Sequence, residues 1–154
     1  MAGFCDGRGS CYDNVVIYIG IDYGQKRIGI AISDDEVKIA FPRTTVENKG
    51  NNKLVKTIAS LVKKEQISCM VVGLPVGLQG QETKQTKGVR AFANKLRKVV
   101  SVPVEFENEM LTTKMAKESG AKDIDASSAA IMLQSYLDKK LKTQKANLKT
   151  TAQK

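Results

Sequence analysis

The segment Val15–Ile21 constrains the fold more than any other part of the sequence. It consists almost entirely of apolar residues, most of them β-branched, and reads VVIYIGI. Such a run is typical of a strand that is buried on both faces of a sheet. Asp22 ends the run, and Tyr23-Gly24-Gln25 follows as a turn signal. Because a strand covered on both faces needs other elements above and below it, the sequence predicts an α/β fold.

Four further segments have the pattern of strands. Arg27–Ser33 follows the first turn, and Val37–Thr44 follows a second turn signal. Pro42, near the end of the third strand, indicates an edge position, because proline lacks the N–H that a central strand donates. Three strands with short turns form an antiparallel meander, whereas Cys69–Val72 and Val102–Phe106 are separated by helical segments, which implies parallel pairing. The sequence therefore predicts a mixed sheet with helices on its faces.

Three segments have apolar residues at helical spacing, a shorter one is also predicted to be helical, and each begins near a residue that can cap a helix. The predicted caps are Asn51 or Asn52 for the first helix, Thr83 for the second, Thr112 or Thr113 for a short third helix ending near Gly120, and Asp123 or Asp125 for the last.

The length of 154 residues favours a single domain. We predict a flexible leader at 1–14, where Gly3, Gly7 and Gly9 lie among polar residues, and a folded domain at 15–138. Residues 139–154 are rich in lysine and lack acidic side chains, so we predict a basic, disordered tail there.

The net charge and the absence of histidine limit the partners and the catalytic groups that the protein can use. Lys and Arg number 25 against 16 Asp and Glu, a net charge of +9. This surplus attracts polyanions and makes nucleic acid the predicted partner, although basic tails on an unrelated protein would give the same balance. Because the chain contains no His, it has no Ser-His-Asp or Cys-His unit and no histidine metal ligand.

The cysteines and the hydropathy indicate a cytoplasmic protein. Cys5, Cys11 and Cys69 are odd in number and form no Cys-x-x-Cys pair, which predicts neither a disulfide framework nor a zinc site. A reducing cytoplasm fits this pattern. No stretch is long and apolar enough to span a bilayer, so we expect no membrane partner.

Three acidic residues share one property, since each follows a strand or opens a helix: Asp22, Glu109 and Asp125. Ligands of open α/β sheets gather beyond the carboxyl ends of the strands, and carboxylates brought together there repel each other unless a cation binds. Oxygen ligands suit Mg²⁺ or Mn²⁺, and two such ions can promote phosphodiester hydrolysis without histidine. Alternatively, Asp22 shapes a turn, Glu109 pairs with Lys114, and Asp125 only caps a helix.

A glycine-rich segment, Gly73–Gly80, lies between a predicted strand and a predicted helix. Glycines there let a phosphate approach backbone N–H groups near a helix N-terminus. The segment is not a Walker loop, because no Gly-Lys-Ser/Thr follows. An ordinary glycine-rich connection is the alternative.

Four motifs together resemble the YqgF family, also called RuvX, of pre-16S ribosomal RNA nucleases and Holliday junction resolvases. They span about Val16–Asp138. The first reads Gly20-Ile-Asp22-Tyr-Gly24-Gln-Lys26-Arg27-Ile-Gly29-Ile-Ala31-Ile-Ser33-Asp34; the second contains Gly73-Leu74-Pro75, Gly80, Gln85, Arg90 and Phe92; the third contains Glu109 and Leu111-Thr112-Thr113; and the fourth contains Asp125, Ala129 and Leu133-Gln134-Ser135-Tyr136-Leu137.

The resemblance implies a ribonuclease H-like fold, with a five-stranded mixed sheet flanked by helices. It also implies that Asp22, Glu109 and Asp125 are the catalytic acids and the ligands of Mg²⁺ or Mn²⁺. The residues implied to bind substrate are Lys26, Arg27, Gly73, Pro75, Gln85, Arg90 and Thr112. Alternatively, Lys26 and Arg27 form salt bridges with Asp34 or Asp35, and Arg90 only coats a helix face.

This chain departs from the family pattern next to the third acid. Where the family usually has Asp-Glu-Arg, it has Asn108-Glu109-Met110, which lacks one carboxylate and one guanidinium. Gly77 also stands where the family often has Asn. These changes are expected to affect catalytic efficiency and substrate affinity more than the fold.

The leading hypothesis is a metal-dependent nuclease that processes the 5′ end of pre-16S ribosomal RNA. One alternative is a resolvase of branched DNA, which needs two active sites and hence a homodimer. We therefore expect either a monomer or a homodimer. Another is a nucleic-acid-binding module without catalysis. The Asp-x-Gly turn also occurs in sugar kinases and actin-like ATPases, but the chain is too short for their two lobes.

Overall fold

A computed structural model describes residues 15–75, 81–109 and 124–152. These residues form a five-stranded sheet with helices on both faces. The elements, in chain order, are β1 (Tyr18–Tyr23), β2 (Arg27–Ser33), β3 (Ala40–Glu47), α1 (Asn51–Lys64), β4 (Cys69–Pro75), α2 (Lys84–Val99), β5 (Val104–Glu109) and α3 (Ile124–Ala152).

The strand order across the sheet is β3-β2-β1-β4-β5. The pairs β1–β2 and β2–β3 are antiparallel, and β1–β4 and β4–β5 are parallel. This confirms the predicted meander followed by two parallel strands, and Pro42 does lie in an edge strand. The apolar run that opens the domain becomes β1, the central strand, which has a neighbour on each side.

Alternate residues of β1 face opposite layers. Ile19 and Ile21 are fully buried in a core that α1 and α2 cover. Tyr18 belongs to a second core, which α3 covers from the other face. On that side Gly20 lets the helix approach the strand closely, because a Cβ atom at this position would lie 2.8 Å from Leu133 Cβ. The sheet is therefore enclosed on both faces at its centre.

The helix starts differ in part from the predicted caps. Gly50, with a positive φ of 107°, is the N-cap of α1, and no side chain caps that helix, so the choice of Asn51 or Asn52 was wrong. Thr83 caps α2 as predicted and forms a capping box with Thr86. Asp125 lies inside the first turn of α3 and is not its cap. Asp123 and the predicted third helix lie outside the described residues.

Four of the five strands have boundaries that differ from the prediction. β4 continues to Pro75, beyond the predicted Val72, and β5 spans Val104–Glu109 and not Val102–Phe106. β1 begins at Tyr18 and continues to Tyr23, beyond the expected end. β3 begins at Ala40, not Val37, because the preceding turn is longer. The Asp34 carboxylate closes this turn by accepting hydrogen bonds from the backbone N–H groups of Lys38 (2.7 Å) and Ile39 (3.0 Å).

The last helix is longer than predicted. It continues to Ala152, so the prediction of disorder is wrong for residues 139–152. Two lysines at the start of this extension contact the sheet: Lys139 pairs with Glu107, and Lys140 donates a hydrogen bond to the Tyr18 hydroxyl. Within the described residues, no helix has the length and apolar character needed to cross a membrane. The predicted leader at 1–14 lies outside the described residues.

Candidate functional site

Asp22 lies near the C-terminal end of the central strand. Its neighbour Ile21 is buried against α1 and α2, so strand alternation places Asp22 on the opposite face, which α3 covers. The residue is half-buried. The predicted acid therefore stands at the carboxyl end of a buried strand, where α/β proteins commonly bind ligands.

The first turn of α3 packs directly beside this position. Asp22 pairs with Gly29 in the β1–β2 ladder. A Cβ atom added at Gly29 would lie 1.9 Å from the carbonyl oxygen of Asp125, so the helix backbone occupies the space that any side chain would need. Because Gly29 has none, Asp125 sits over the strand residue next to Asp22. The structure thus brings two of the three predicted acids to adjacent positions.

Arg27 forms an ion pair with Asp125. The distance from Arg27 Nε to Asp125 Oδ2 is 3.2 Å, and the side chains are 67% and 34% exposed. The alternative in which Arg27 pairs with Asp34 or Asp35 is therefore wrong. Asp34 instead accepts backbone hydrogen bonds, and the bond from Ile39 is the main cause that lowers its carboxyl pKa. Lys26 lies exposed in the β1–β2 turn.

Glu109 is the last residue of β5 and lies opposite Pro75 in the β4–β5 register. It belongs to the same alternate series as Glu105 and Glu107, whose side chains contact α3. β5 is two strands away from β1, about 10 Å at the usual strand spacing. Among the described side chains, which do not include that of Glu109, no three acids or cysteines form a group that could hold a metal ion. The joint site of Asp22, Glu109 and Asp125 remains a prediction.

Glu107 is a charged residue that the sequence did not single out. Its side chain is only 7% exposed, and it pairs with Lys139 of α3. Ser135 Oγ donates a second hydrogen bond to its carboxylate at 3.3 Å. Alternation along β5 offered a signal, since Glu105, Glu107 and Glu109 occupy every second position. Glu107 holds the helix that carries Asp125 against the edge of the sheet.

The remaining predicted substrate residues lie in different places. Gly73 is buried within β4, and the carbonyl group of Pro75 accepts a hydrogen bond from Thr86 Oγ1 at the start of α2. Gln85 is exposed in the first turn of α2. Arg90, also on α2, pairs with Glu82 at 2.8 Å and lies 5.7 Å from the centre of the Phe106 ring, on the sheet face opposite α3. Thr112 lies outside the described residues.

The strand order and the two-sided helical cover define a ribonuclease H-like fold, and solved structures agree. The structure of Thermus thermophilus RuvC in complex with a Holliday junction substrate has a TM-score of 0.57 to this chain. It is 15% identical, over 82% of this chain and 96% of that one. The fowlpox virus resolvase has a TM-score of 0.54 and 12% identity, over 82% and 99%. At these identities the similarity shows the fold.

Residues 16–139 match the family model described as RuvX, Holliday junction resolvase, and the chain belongs to this family. A relative from Chloroflexus aurantiacus is 37% identical over 135 residues, which cover 81% of this chain and 88% of the relative. One from Rickettsia typhi is 41% identical over 98 residues, 64% and 63% of the two chains. Both are named "Putative pre-16S rRNA nuclease". The resemblance based on the four motifs is confirmed.

Proposed function

We propose that this protein is a metal-dependent nuclease that hydrolyses phosphodiester bonds of structured RNA during 5′-end processing of pre-16S ribosomal RNA. The observation that carries the proposal is the position of Asp125, whose backbone packs over Gly29 beside Asp22. Gly29 is the ladder partner of Asp22. This backbone contact therefore supports a shared site for two acids from the two ends of the domain, at the strand end where ligands of α/β sheets bind. The names of the relatives support the choice of substrate.

The donor set fits Mg²⁺ or Mn²⁺. Asp22, Asp125 and Glu109 offer hard carboxylate oxygens, and the chain contains no His that would favour zinc. Bound divalent ions, two in the mechanism we favour, would supply an activated water and neutralise the charge that develops on the leaving oxygen. The role we assign to the three acids is to hold these ions at the end of the central strand.

Arg27 balances the negative charge at this position. Its guanidinium lies beside Asp125 and is two-thirds exposed, so it can also reach a phosphate oxygen of a bound nucleic acid. Lys26 is exposed in the same turn. We propose that these two residues bind the substrate backbone next to the scissile bond.

The distribution of charge supports a polyanionic substrate. Residues 139–154 contain six lysines and no acid, so they contribute six of the nine net positive charges. In the structure Lys142 and Lys145 are exposed on the extension of α3. The helix thus carries a catalytic acid at one end and a basic segment at the other.

Asn108 is compatible with catalysis because of its strand position. In β5 it belongs to the alternate series of Val104 and Phe106, which pack against the α1–α2 core. The carboxylate that the family usually has here is therefore missing from the face opposite α3. Met110 lies outside the described residues. We expect slower turnover than in relatives with Asp-Glu-Arg, but not inactivity.

The test compares Asp22→Asn and Asp125→Asn with Asp35→Asn, a matched control in the exposed β2–β3 turn. An RNA carrying the 5′ extension of 16S ribosomal RNA is incubated with each protein and Mg²⁺ or Mn²⁺, and circular dichroism checks the fold. Cleavage should be lost in the first two variants and retained in the control. If all three variants cleave at the wild-type rate, the acids are not catalytic. Binding that persists in EDTA without product under any metal would indicate a binding module.

A resolvase of branched DNA is the second candidate, favoured by the description of the family model. Symmetric cutting of a four-way junction needs two active sites, and hence a homodimer. Parallel assays on a junction and on the RNA, with sedimentation to determine the oligomeric state, separate the two functions. A junction cut faster than the RNA, by a dimer, would favour the resolvase.

A further inference from the structure

A cavity lies at the same end of the sheet as Asp22, but on the face away from α3. Its volume is about 280 Å³, and it lies between the β1–β2 turn, the end of β3 and the first turns of α2. The residues that line it include Tyr23, Gln25, Asn48, Lys84, Gln85 and Gly88. None of them belongs to the acidic set, although Tyr23 directly follows Asp22.

The walls of this cavity are fixed by hydrogen bonds and ring packing. Asn48 Nδ2 donates to the carbonyl oxygen of Gly24 at 2.9 Å, which ties the end of β3 to the β1–β2 turn. The Tyr23 hydroxyl donates to Asn51 Oδ1 at 2.8 Å, and its ring centre lies 4.8 Å from that of Phe92. The cavity is therefore preformed.

The polar groups of the cavity are available to a ligand. Within the described part of the chain, neither the Gln25 and Gln85 amides nor the Lys84 ammonium group takes part in a hydrogen bond or an ion pair. An amide offers a donor and an acceptor side by side, as the edge of a nucleobase does, and an aromatic ring such as that of Tyr23 offers a stacking surface. The volume lies just below the usual range for ligand sites and suits one small planar group.

We infer that this cavity binds a single nucleobase of the substrate, unstacked from the nucleotide next to the scissile phosphodiester. Gln25 and Gln85 recognise its edge, Tyr23 contacts its ring, and Lys84 attracts its phosphate. Asp22 and Tyr23 are consecutive in β1, so their side chains lie on opposite faces of the same strand end. A strand whose phosphate lies at Asp22 can thus pass a neighbouring base over the edge of the sheet. The inference rests on the proposed nuclease function.

Gly88 provides a variant that fills the cavity without disturbing the fold. A Cβ atom at Gly88 would meet no atom within 4 Å, and the residue lies inside α2, where other residues are better helix formers. Gly88→Leu should therefore fold normally and obstruct the base. Gly88→Ala, which adds only one methyl group, is the matched control.

The first measurement is a titration of the ¹⁵N-labelled protein with the four nucleoside 5′-monophosphates. Side-chain amide resonances of Gln25 and Gln85 should shift with at least one of them, but not with ribose 5-phosphate, and they should not shift in Gly88→Leu. Equal shifts with ribose 5-phosphate would show a phosphate site and overturn the assignment to a base. The absence of any shift would overturn it as well.

The second measurement scans a short single-stranded RNA in which each base is removed in turn, with binding measured by fluorescence anisotropy in the Asp22→Asn background, where no cleavage is expected. One abasic position should weaken binding by roughly 5- to 100-fold, the range expected for loss of one stacked base. Gly88→Leu should bind the intact RNA as weakly as the parent binds that abasic RNA. If no position matters, or if Gly88→Leu binds like the parent, the base site is wrong while the nuclease proposal stands. If no RNA or DNA binds at all, both are wrong.

Discussion

Replacement of Gly29 by alanine should displace Asp125, because the added methyl group would clash with the backbone of α3. The added Cβ atom would lie 1.9 Å from the carbonyl oxygen of Asp125 and 2.4 Å from its carbonyl carbon. Side-chain rotation cannot relieve this clash, because both atoms belong to the helix backbone. A separation of at least 3.0 Å is needed, so the first turn of α3 must move by about 1.1 Å.

The displacement has two expected consequences. Forcing a methyl group into a packed contact costs about 1–3 kcal/mol of unfolding free energy. A shift of about 1 Å in a catalytic group is enough to lower the rate by about 10²-fold. The helix cannot move away freely, since it also contacts β1 at Gly20, where Leu133 lies close. Gly29→Ala should therefore lose activity even under conditions in which it remains folded.

The assay combines urea denaturation with single-turnover cleavage of the precursor RNA at saturating protein and metal. Gly88→Ala serves as the control for stability, because its methyl group enters open space within a helix and should raise the unfolding free energy by about 0.5–1 kcal/mol. The expected result is that Gly29→Ala lowers the unfolding free energy and Gly88→Ala raises it. Wild-type stability and rate in Gly29→Ala would refute the close seating of Asp125 on β2.

Three further predictions concern single side chains. Arg27→Ala removes the cation 3.2 Å from Asp125, so Mn²⁺ should bind more tightly by calorimetry while RNA binds more weakly, and weakening of both would contradict the proposed role. Lys139→Met leaves the buried Glu107 carboxylate without its cation and should lower the unfolding free energy by about 1–3 kcal/mol. Glu107→Gln should lower it less, because that variant leaves only an exposed lysine without a partner. Equal losses of unfolding free energy in urea denaturation would contradict this prediction. Burial raises the pKa of the Cys69 thiol from 9.0 to about 11. In a Cys5→Ser, Cys11→Ser variant, alkylation of Cys69 at pH 8 should therefore be about 100-fold slower than that of an ordinary thiol. Rapid labelling of the native protein would show an accessible thiolate and contradict this prediction.

The pattern of apolar residues predicted most of the sheet. β2 has the predicted boundaries, and the order of antiparallel and parallel pairs follows from the short turns and the intervening helices. Boundaries were missed where a side chain far from the apolar pattern decides them, as Asp34 does by closing the turn before β3. The end of α3 was missed because a lysine-rich composition does not reveal that Lys139 and Lys140 bind to the sheet layer.

The site was predicted as a set of residue types, but not as an arrangement. The motifs identified Asp22 and Asp125, and the structure places them in adjacent positions. The partner of Arg27 and the burial of Glu107 were not predicted, since each depends on α3 packing against strands far away in sequence. Gln85 was expected to bind substrate, but its place beside Tyr23 in a common cavity is known only from the fold.

The sequence by itself determined the central strand, the mixed sheet and the exclusion of histidine from the chemistry, because these follow from local periodicity and from the residue type that the chain lacks. The tertiary structure decided that Asp125 packs over Gly29, that Arg27 pairs with Asp125 and where a cavity forms. The physical reason is that these features depend on how closely α3 and α2 approach the sheet. That approach is set by steric contacts between residues distant in sequence, such as Gly29 with Asp125, which local periodicity does not encode.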